Sequence, residues 1–305
     1  MTSGFESGGW VTAHGTCRLC GSGETRFLFA LEHEGMRHTV LECRACDVLQ
    51  TMEHYQDVSP DYVDLGTESV DRDRLWCQGV HKEPAFEHWY LHTEKFLNTN
   101  NSSKKLLDIG CGTGGFLRFA RSRGIEVFGF DASRAQVAHA KKEMENVRCA
   151  VTPEEYLEVL ERKDLQFDLV TMWDVLEHVR KPIDFLISIR RLIRPGGCLF
   201  ISIPNGRAMF WKQKVYMILG RDIQQAWVPW EHVFYYSPRS LGEYLGKTGF
   251  HLLKIGSVPC YPRPLSTFEV MRRVGFACLR PFPSWAPQIF AWARVPLESD
   301  VQAHS

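Results

Sequence analysis

The segment Lys104 to Asp131 constrains this chain more than any other. It reads as a short apolar strand, KKLLDI (Lys104 to Ile109), then a glycine loop, GCGTGG (Gly110 to Gly115). An amphipathic helix start, FLRFARSR, and a second strand, IEVFGF, follow and end at Asp131. A brief apolar run, clustered glycines and then helical periodicity are the pattern of a β-α-β unit. Glycine suits the loop because only it takes positive φ freely and lets the backbone approach a ligand closely. The same alternation continues. Helices are expected over Ser133 to Met144, Pro153 to Arg162 and Pro182 to Ile193, the last opened by its proline. Strands are expected over Val147 to Val151, Phe167 to Met172 and Cys198 to Ile203, the last after the turn Pro195-Gly196-Gly197. This order predicts an α/β, doubly wound, mostly parallel Rossmann-like sheet with helices on both faces.

The loop formally satisfies G-x-G-x-x-G through Gly110, Gly112 and Gly115, and Asp131 stands near the place of a ribose-binding acid, so a nicotinamide dinucleotide is one candidate. Asp108 weighs against it. At the strand end it would face the dianionic pyrophosphate that such sites bring to the helix N-terminus. S-adenosylmethionine carries a sulfonium and an ammonium and no phosphate, so an acid beside the loop is compatible with it. The glycines then admit its methionine part, and Asp131 accepts hydrogen bonds from its ribose hydroxyls.

The motifs LLDIGCGTGGFL, GFDAS, FDLVTMWDVLEHV, LIRPGG and CLFISIPN, in this order over residues 104–205, resemble those of class I S-adenosylmethionine-dependent methyltransferases. The resemblance implies a seven-stranded sheet whose last hairpin comes from HLLKIGS and PQIFAWARV. Where the family often has an aspartate for the adenine amino group, this chain has Thr152-Pro153-Glu154. Together these readings put Asp108, Gly110, Cys111, Gly112, Gly114, Asp131, Ala132, Thr152, Trp173 and Asp174 at the cofactor.

Two C-x2-C pairs, Cys17/Cys20 and Cys43/Cys46, stand 22 residues apart, a spacing close to that of zinc ribbons. Gly21 suits a tight knuckle after the first pair. Four thiolates leave no open position for water, so the expected zinc is structural; disulfides are the alternative. Between the pairs, Arg26 to Leu31 and His38 to Glu42 read as a hairpin. With the later PWEHVFYYSPRSL, the pairs resemble a bacterial methyltransferase subgroup with an N-terminal zinc ribbon, associated with surface-polysaccharide and natural-product pathways. The remaining six cysteines are scattered as buried free thiols would be. The expected organisation is a flexible tail (1–16), the zinc module (17–51), a connector with N-terminal helices (52–100) and the methyltransferase domain (101–298). Within the last, residues 206–236 form an insertion placed to cover substrate.

WDVLEHV, Trp173 to Val179, follows the fourth strand at the carboxyl edge, where such sheets bind ligands. As a helix start it would carry Asp174, Glu177 and His178 on one face. Asp174 is then either a simple cap or part of the site, and His178 a base or an orienting group. A third reading makes Asp174, Glu177 and His178 a divalent-metal site, as at similar positions in ubiquinone-pathway O-methyltransferases, which this segment resembles. His232, after the insertion, is a second candidate base. Catalysis is therefore expected from His178, His232 and Asp174.

With 36 basic and 36 acidic side chains the chain has no global charge to attract a nucleic acid. No basic-apolar leader and no run of about 18 apolar residues is present, so a cytoplasmic protein without a membrane span is expected. A small-molecule acceptor leads, with O-methylation of a sugar or secondary metabolite foremost and N- or C-methylation open. An RNA or protein methyltransferase and a non-catalytic binding module are the alternatives. The oligomeric state has no signature in the sequence.

Overall fold

The computed structural model describes residues 15–33, 35–52, 83–96, 104–159, 165–218, 227–229, 231–257 and 286–297. Strands β1 (Thr25–His33), β2 (Met36–Cys43) and β3 (Leu49–Thr51) form an antiparallel N-terminal sheet. Helix α1 (Glu83–Phe96) follows. The alternating half then runs β4 (Lys105–Ile109), α2 (Gly115–Ser122), β5 (Glu126–Asp131), α3 (Arg134–Ala140), β6 (Val147–Cys149), α4 (Pro153–Val159) and β7 (Phe167–Trp173). It continues through α5 (Pro182–Leu192), β8 (Ile193–Pro204), α6 (Gly206–Ile218), β9 (Phe234–Tyr235), α7 (Pro238–Lys247), β10 (His251–Ser257) and β11 (Gln288–Arg294).

The seven-stranded sheet has the order β10-β11-β8-β7-β4-β5-β6. Strands β6, β5, β4, β7 and β8 are parallel, while β11 is antiparallel to both β8 and β10. The expected doubly wound, mostly parallel seven-stranded fold is therefore present. Every residue of β7 is buried, as a strand covered on both faces by helices must be. Ser237 and Ser240 form a reciprocal capping box at the start of α7, and Pro182 and Pro238 occupy first-turn positions where a missing N–H is harmless.

Local boundaries differ from expectation for identifiable reasons. The helix expected to reach Met144 ends at Ala140, because Lys142 and Glu143 donate to carbonyls three residues back and tighten the turn. The Pro195-Gly196-Gly197 turn is a bulge inside β8. Ile193 pairs with Phe167 and Cys198 with Leu169, and Gly196 takes φ +77°. The expected helix from Arg72 is seen only as α1, residues 72–82 lying outside the described part, as do residues 1–14, 160–164 and 219–226.

One pairing has no counterpart in the sequence reading. Strand β9 adds to β3, so the N-terminal sheet has the order β1-β2-β3-β9 and is completed from the second half of the chain. One set of its side chains, Phe29, Leu31, Val40 and Leu49, packs on Trp227 and Tyr235. Cys17, Cys43, Cys46 and Val48 instead join the main core with Phe234, Tyr236, Leu241 and Tyr244. Among the described residues no helix is long and apolar enough to cross a membrane.

Candidate active site and four-cysteine centre

Strand β4 delivers the chain into a loop in which Gly110, Gly112 and Gly114 have φ of +69°, +54° and +81°. The N–H groups of Gly110 and Cys111 donate to the Phe130 carbonyl at 2.9 and 3.1 Å, strapping the loop to the end of β5. One carboxylate completes the arrangement. Asp131 accepts from the Gly112 N–H at 2.9 Å and from the Ser133 N–H at 2.8 Å, and so fixes both the loop and the entry to α3. Burial pushes its pKa up. A Cβ on Gly110 would lie 2.5 Å from Val175 Cγ2. Gly110→Ala is therefore expected to destabilise the protein by at least about 1–2 kcal/mol from the left-handed backbone alone, read as a lower denaturant midpoint; an unchanged midpoint would contradict this geometry.

Asp108 is buried and accepts from the Thr171 hydroxyl at 2.7 Å, which ties it to β7. Burial, then the Asp131 and Asp108 carboxylates, push the Cys111 thiol well above its ordinary value, making it a neutral packing group. The Ala132 carbonyl accepts from Cys149 Sγ at 3.5 Å. Thr152 accepts from the Glu155 N–H at 3.2 Å and thereby caps α4.

WDVLEHV does not begin an α-helix. Only Leu176–His178 is helical, as a single 3-10 turn whose first flanking residue, Val175, provides no side-chain cap. Asp174 sits before it at φ +58°. Its N–H donates to the Ser202 carbonyl at 2.8 Å, and its carboxylate accepts from Gln288 Nε2 on β11 at 2.6 Å. The expected capping role of Asp174 and the shared face of Asp174, Glu177 and His178 are thus both corrected: three residues of 3-10 turn cannot build the i, i+4 face. The Trp173 indole is wedged among Phe86, Phe116 and Phe200, with ring centroids 5.0, 5.1 and 4.7 Å away.

The group that does come together is Glu177, His178 and His232, whose ligand-type atoms all lie within 4.8 Å of one another. The two imidazole centroids are 4.8 Å apart at 78°. His178 Nδ1 lies 3.1 Å from the Glu231 carbonyl, so Nδ1 carries the proton and Nε2 keeps its lone pair. Burial lowers the His178 pKa, favouring this neutral form. The Val233 N–H donates to the Glu177 carbonyl at 2.8 Å, which brings the His232 segment against the 3-10 turn. Gln288, which holds Asp174, carries no local signature and was reachable only through the β8–β11 register.

The four cysteines meet as their spacing predicts. Cys17 and Cys46 have sulfurs 3.7 Å apart, Cys20 and Cys43 3.5 Å, and all four sulfurs lie within 4.8 Å of one another. A tetrahedron with metal–sulfur bonds of about 2.3 Å has edges of about 3.8 Å, so this donor set fits zinc. Both arms share one backbone device: the N–H of Gly21 donates to the Cys17 carbonyl at 2.8 Å, and the N–H of Asp47 to the Cys43 carbonyl at 2.9 Å. Gly21 and Asp47 take φ +75° and +64°. The sulfurs are close enough to share protons; the Cys17 contact holds Cys46 below the ordinary thiol value, and the same contact raises Cys17. Arg207 Nη1, on α6, bonds Glu42 at 3.1 Å and Asp47 at 3.0 Å, clamping the second knuckle to the main domain.

Comparison with known proteins bears on this arrangement. The family model "Methyltransferase domain" matches residues 81–255. A ubiquinone biosynthesis O-methyltransferase of Roseobacter denitrificans is 35% identical over 127 residues, 41% of this chain and 50% of the relative. One from Coxiella burnetii is 28% identical over 175 residues, 56% of this chain and 73% of the relative. The chain spans about half the length of the first curated relatives it matches. Among solved structures, a SAM-dependent methyltransferase from Archaeoglobus fulgidus has a TM-score of 0.50 at 20% identity, covering 75% of this chain and 100% of that one. That likeness is one of fold.

Proposed function

The chain belongs to the methyltransferase domain family, and on that premise we propose that it transfers a methyl group from S-adenosylmethionine to a small-molecule hydroxyl. The carrying observation is the loop from Asp108 to Gly114 with Asp131 beneath it. It offers two carboxylates and a backbone cradle in which a Cβ at Gly110, Gly112 or Gly114 would collide with a neighbour. The first basic side chain after the loop, Arg118, is engaged with the Thr113 carbonyl at 2.9 Å, and the two carboxylates suit a cationic, phosphate-free nucleoside. Asp131 would hold the ribose hydroxyls with lone pairs its two backbone donors leave over, and Trp173 and Asp174 close the neighbouring strand end. Bound there, S-adenosylmethionine supplies a sulfonium-activated methyl carbon open to in-line displacement. The chain's own residues have to exclude water, align the nucleophile and take its proton.

His178 Nε2 is the group proposed to take that proton, with His232 beside it to orient the hydroxyl. The relatives from Roseobacter denitrificans and Coxiella burnetii are ubiquinone biosynthesis O-methyltransferases, which favours an oxygen nucleophile. A sugar or secondary-metabolite hydroxyl remains our reading of the acceptor, because the four-cysteine motif resembles that subgroup. Cys17, Cys20, Cys43 and Cys46 would hold one structural zinc.

A second reading is favoured by the Glu177, His178 and His232 group, which could hold a divalent ion in place of the earlier set with Asp174. Two imidazoles and one carboxylate suit zinc, iron or manganese better than magnesium.

The cofactor assignment is tested by calorimetry. Asp131→Ala should weaken S-adenosylmethionine binding by about 10–100-fold, the value of hydrogen bonds to a charged group of about 1.5–3 kcal/mol. Parent-like affinity in the variant, or tighter binding of NAD by the parent, would sink it.

A further inference from the structure

The described contacts form a continuous path from the first cysteine knuckle to the histidine pair. Arg18 lies between Cys17 and Cys20, and its guanidinium Nη2 donates to the Thr51 carbonyl. Its backbone N–H donates to Gln50 Oε1 at 3.0 Å, and its guanidinium stacks 5.2 Å from the centroid of Phe234. Thr51 is wholly buried and is the last residue of β3. Its N–H donates to the Val233 carbonyl at 3.0 Å, and its hydroxyl to the His232 carbonyl at 3.0 Å. Val233 in turn donates to Glu177, which precedes His178.

The hydroxyl bond has no role in the sheet ladder. The Thr51 N–H already continues the β3–β9 register one step beyond Gln50 and Phe234. The side chain reaches one residue further and fixes the peptide that carries His232. β-branching restricts χ1, and complete burial restricts it further, so the hydroxyl is held to few directions. A valine would fill the same volume and leave the His232 carbonyl without this donor.

We propose that Thr51 is a positioning residue for His232, and that the four-cysteine knuckle acts through Arg18 and Thr51 to set the distance between the His232 and His178 rings. The assignment of these rings to the acceptor side rests on the function proposed above. The positioning itself rests only on the contacts.

The test uses the full-length, metal-loaded protein with isotopically labelled histidine. Thr51→Val should keep its zinc content and its melting profile, yet lose the nuclear Overhauser contact between the His178 and His232 rings; Thr51→Ser should restore it. With a panel of simple catechols and phenols as probe acceptors, kcat of the valine variant should fall about 10- to 100-fold, the scale of an ångström-sized misplacement, while KM for S-adenosylmethionine holds. If Thr51→Val does not fold, Arg18→Gln decides by the same ring contact, since it loosens the Thr51 carbonyl and leaves the hydroxyl in place. A parent-like ring contact in the folded variants overturns the proposal. Should His232→Ala turn over like the parent while Thr51→Val still breaks the contact, the positioning stands and the catalytic reading falls.

Discussion

Replacing Cys43 with serine is expected to abolish metal binding and to lower the thermal midpoint of the whole protein. The three cysteines Cys17, Cys43 and Cys46 are buried in the core that also contains Phe234, Tyr236, Leu241 and Tyr244. Without a cation, thiolates crowded this closely repel one another unless protons are shared between them; burial first, together with the contacts to Cys20 and Cys46, pushes the Cys43 thiol up to about 11. Structural zinc in small cysteine-rich sites contributes about 10–16 kcal/mol at neutral pH, comparable with the roughly 5–15 kcal/mol that holds an entire domain together. From the sequence alone, Cys43→Ser is expected to unfold the module or lower solubility more than it affects the chemistry. The shared core, the Arg207 clamp and the β3–β9 pairing argue that the loss spreads. Metal analysis of protein purified without chelator should find about one zinc per chain. A metal-free Cys43→Ser variant that melts like the parent would rule out a structural metal.

The second large effect belongs to the histidine pair. His178→Ala and His232→Ala should each leave S-adenosylmethionine binding intact by calorimetry, and at least one should lower turnover by about 10²–10⁴-fold, the usual consequence of losing a positioned base. A histidine that only packs would change stability by about a kilocalorie per mole and leave turnover nearly unaltered. The measurement is release of S-adenosylhomocysteine with acceptor present, with and without EDTA. Two fully active variants would remove both residues from the mechanism. Loss of activity in EDTA with the cysteine-bound zinc retained would move Glu177, His178 and His232 from base to metal site.

What the sequence discloses and what it hides follow from the range of the forces involved. Strands β4 and β7 are buried along nearly their whole length, so they read as mainly apolar runs broken by Asp108 in β4 and by Asp168 and Thr171 in β7, and the glycines at 110, 112 and 114 stand where φ is positive. The two C-x2-C arms are local devices and equally readable. WDVLEHV misleads because its acid, glutamate and histidine mimic a capped helix. The actual conformation of Asp174 is set by Ser202 and Gln288, which are remote in sequence. His232 was a candidate on its own, but its approach to His178 depends on a two-residue strand, too short for any periodicity to register. Asp47 copies the backbone role of Gly21, and aspartate, which enters the left-handed region more readily than most residues but far less than glycine, is only a weak sign of it.

The β3–β9 pairing also dictates an order of events during synthesis. Leu49 pairs with Tyr235 and Gln50 with Phe234, so the edge of the N-terminal sheet has no partner until about 180 further residues have been made. At about 5–20 residues per second, the interval is roughly ten to forty seconds. Throughout it, the β1–β2 hairpin can form by itself, but Leu49, Gln50 and Thr51, all buried in the end, present an open strand. Early capture of the ion by the two knuckles, both complete by Val48, would pin that edge close to its final place and keep the thiols from oxidation while the ribosome finishes the strand that closes it.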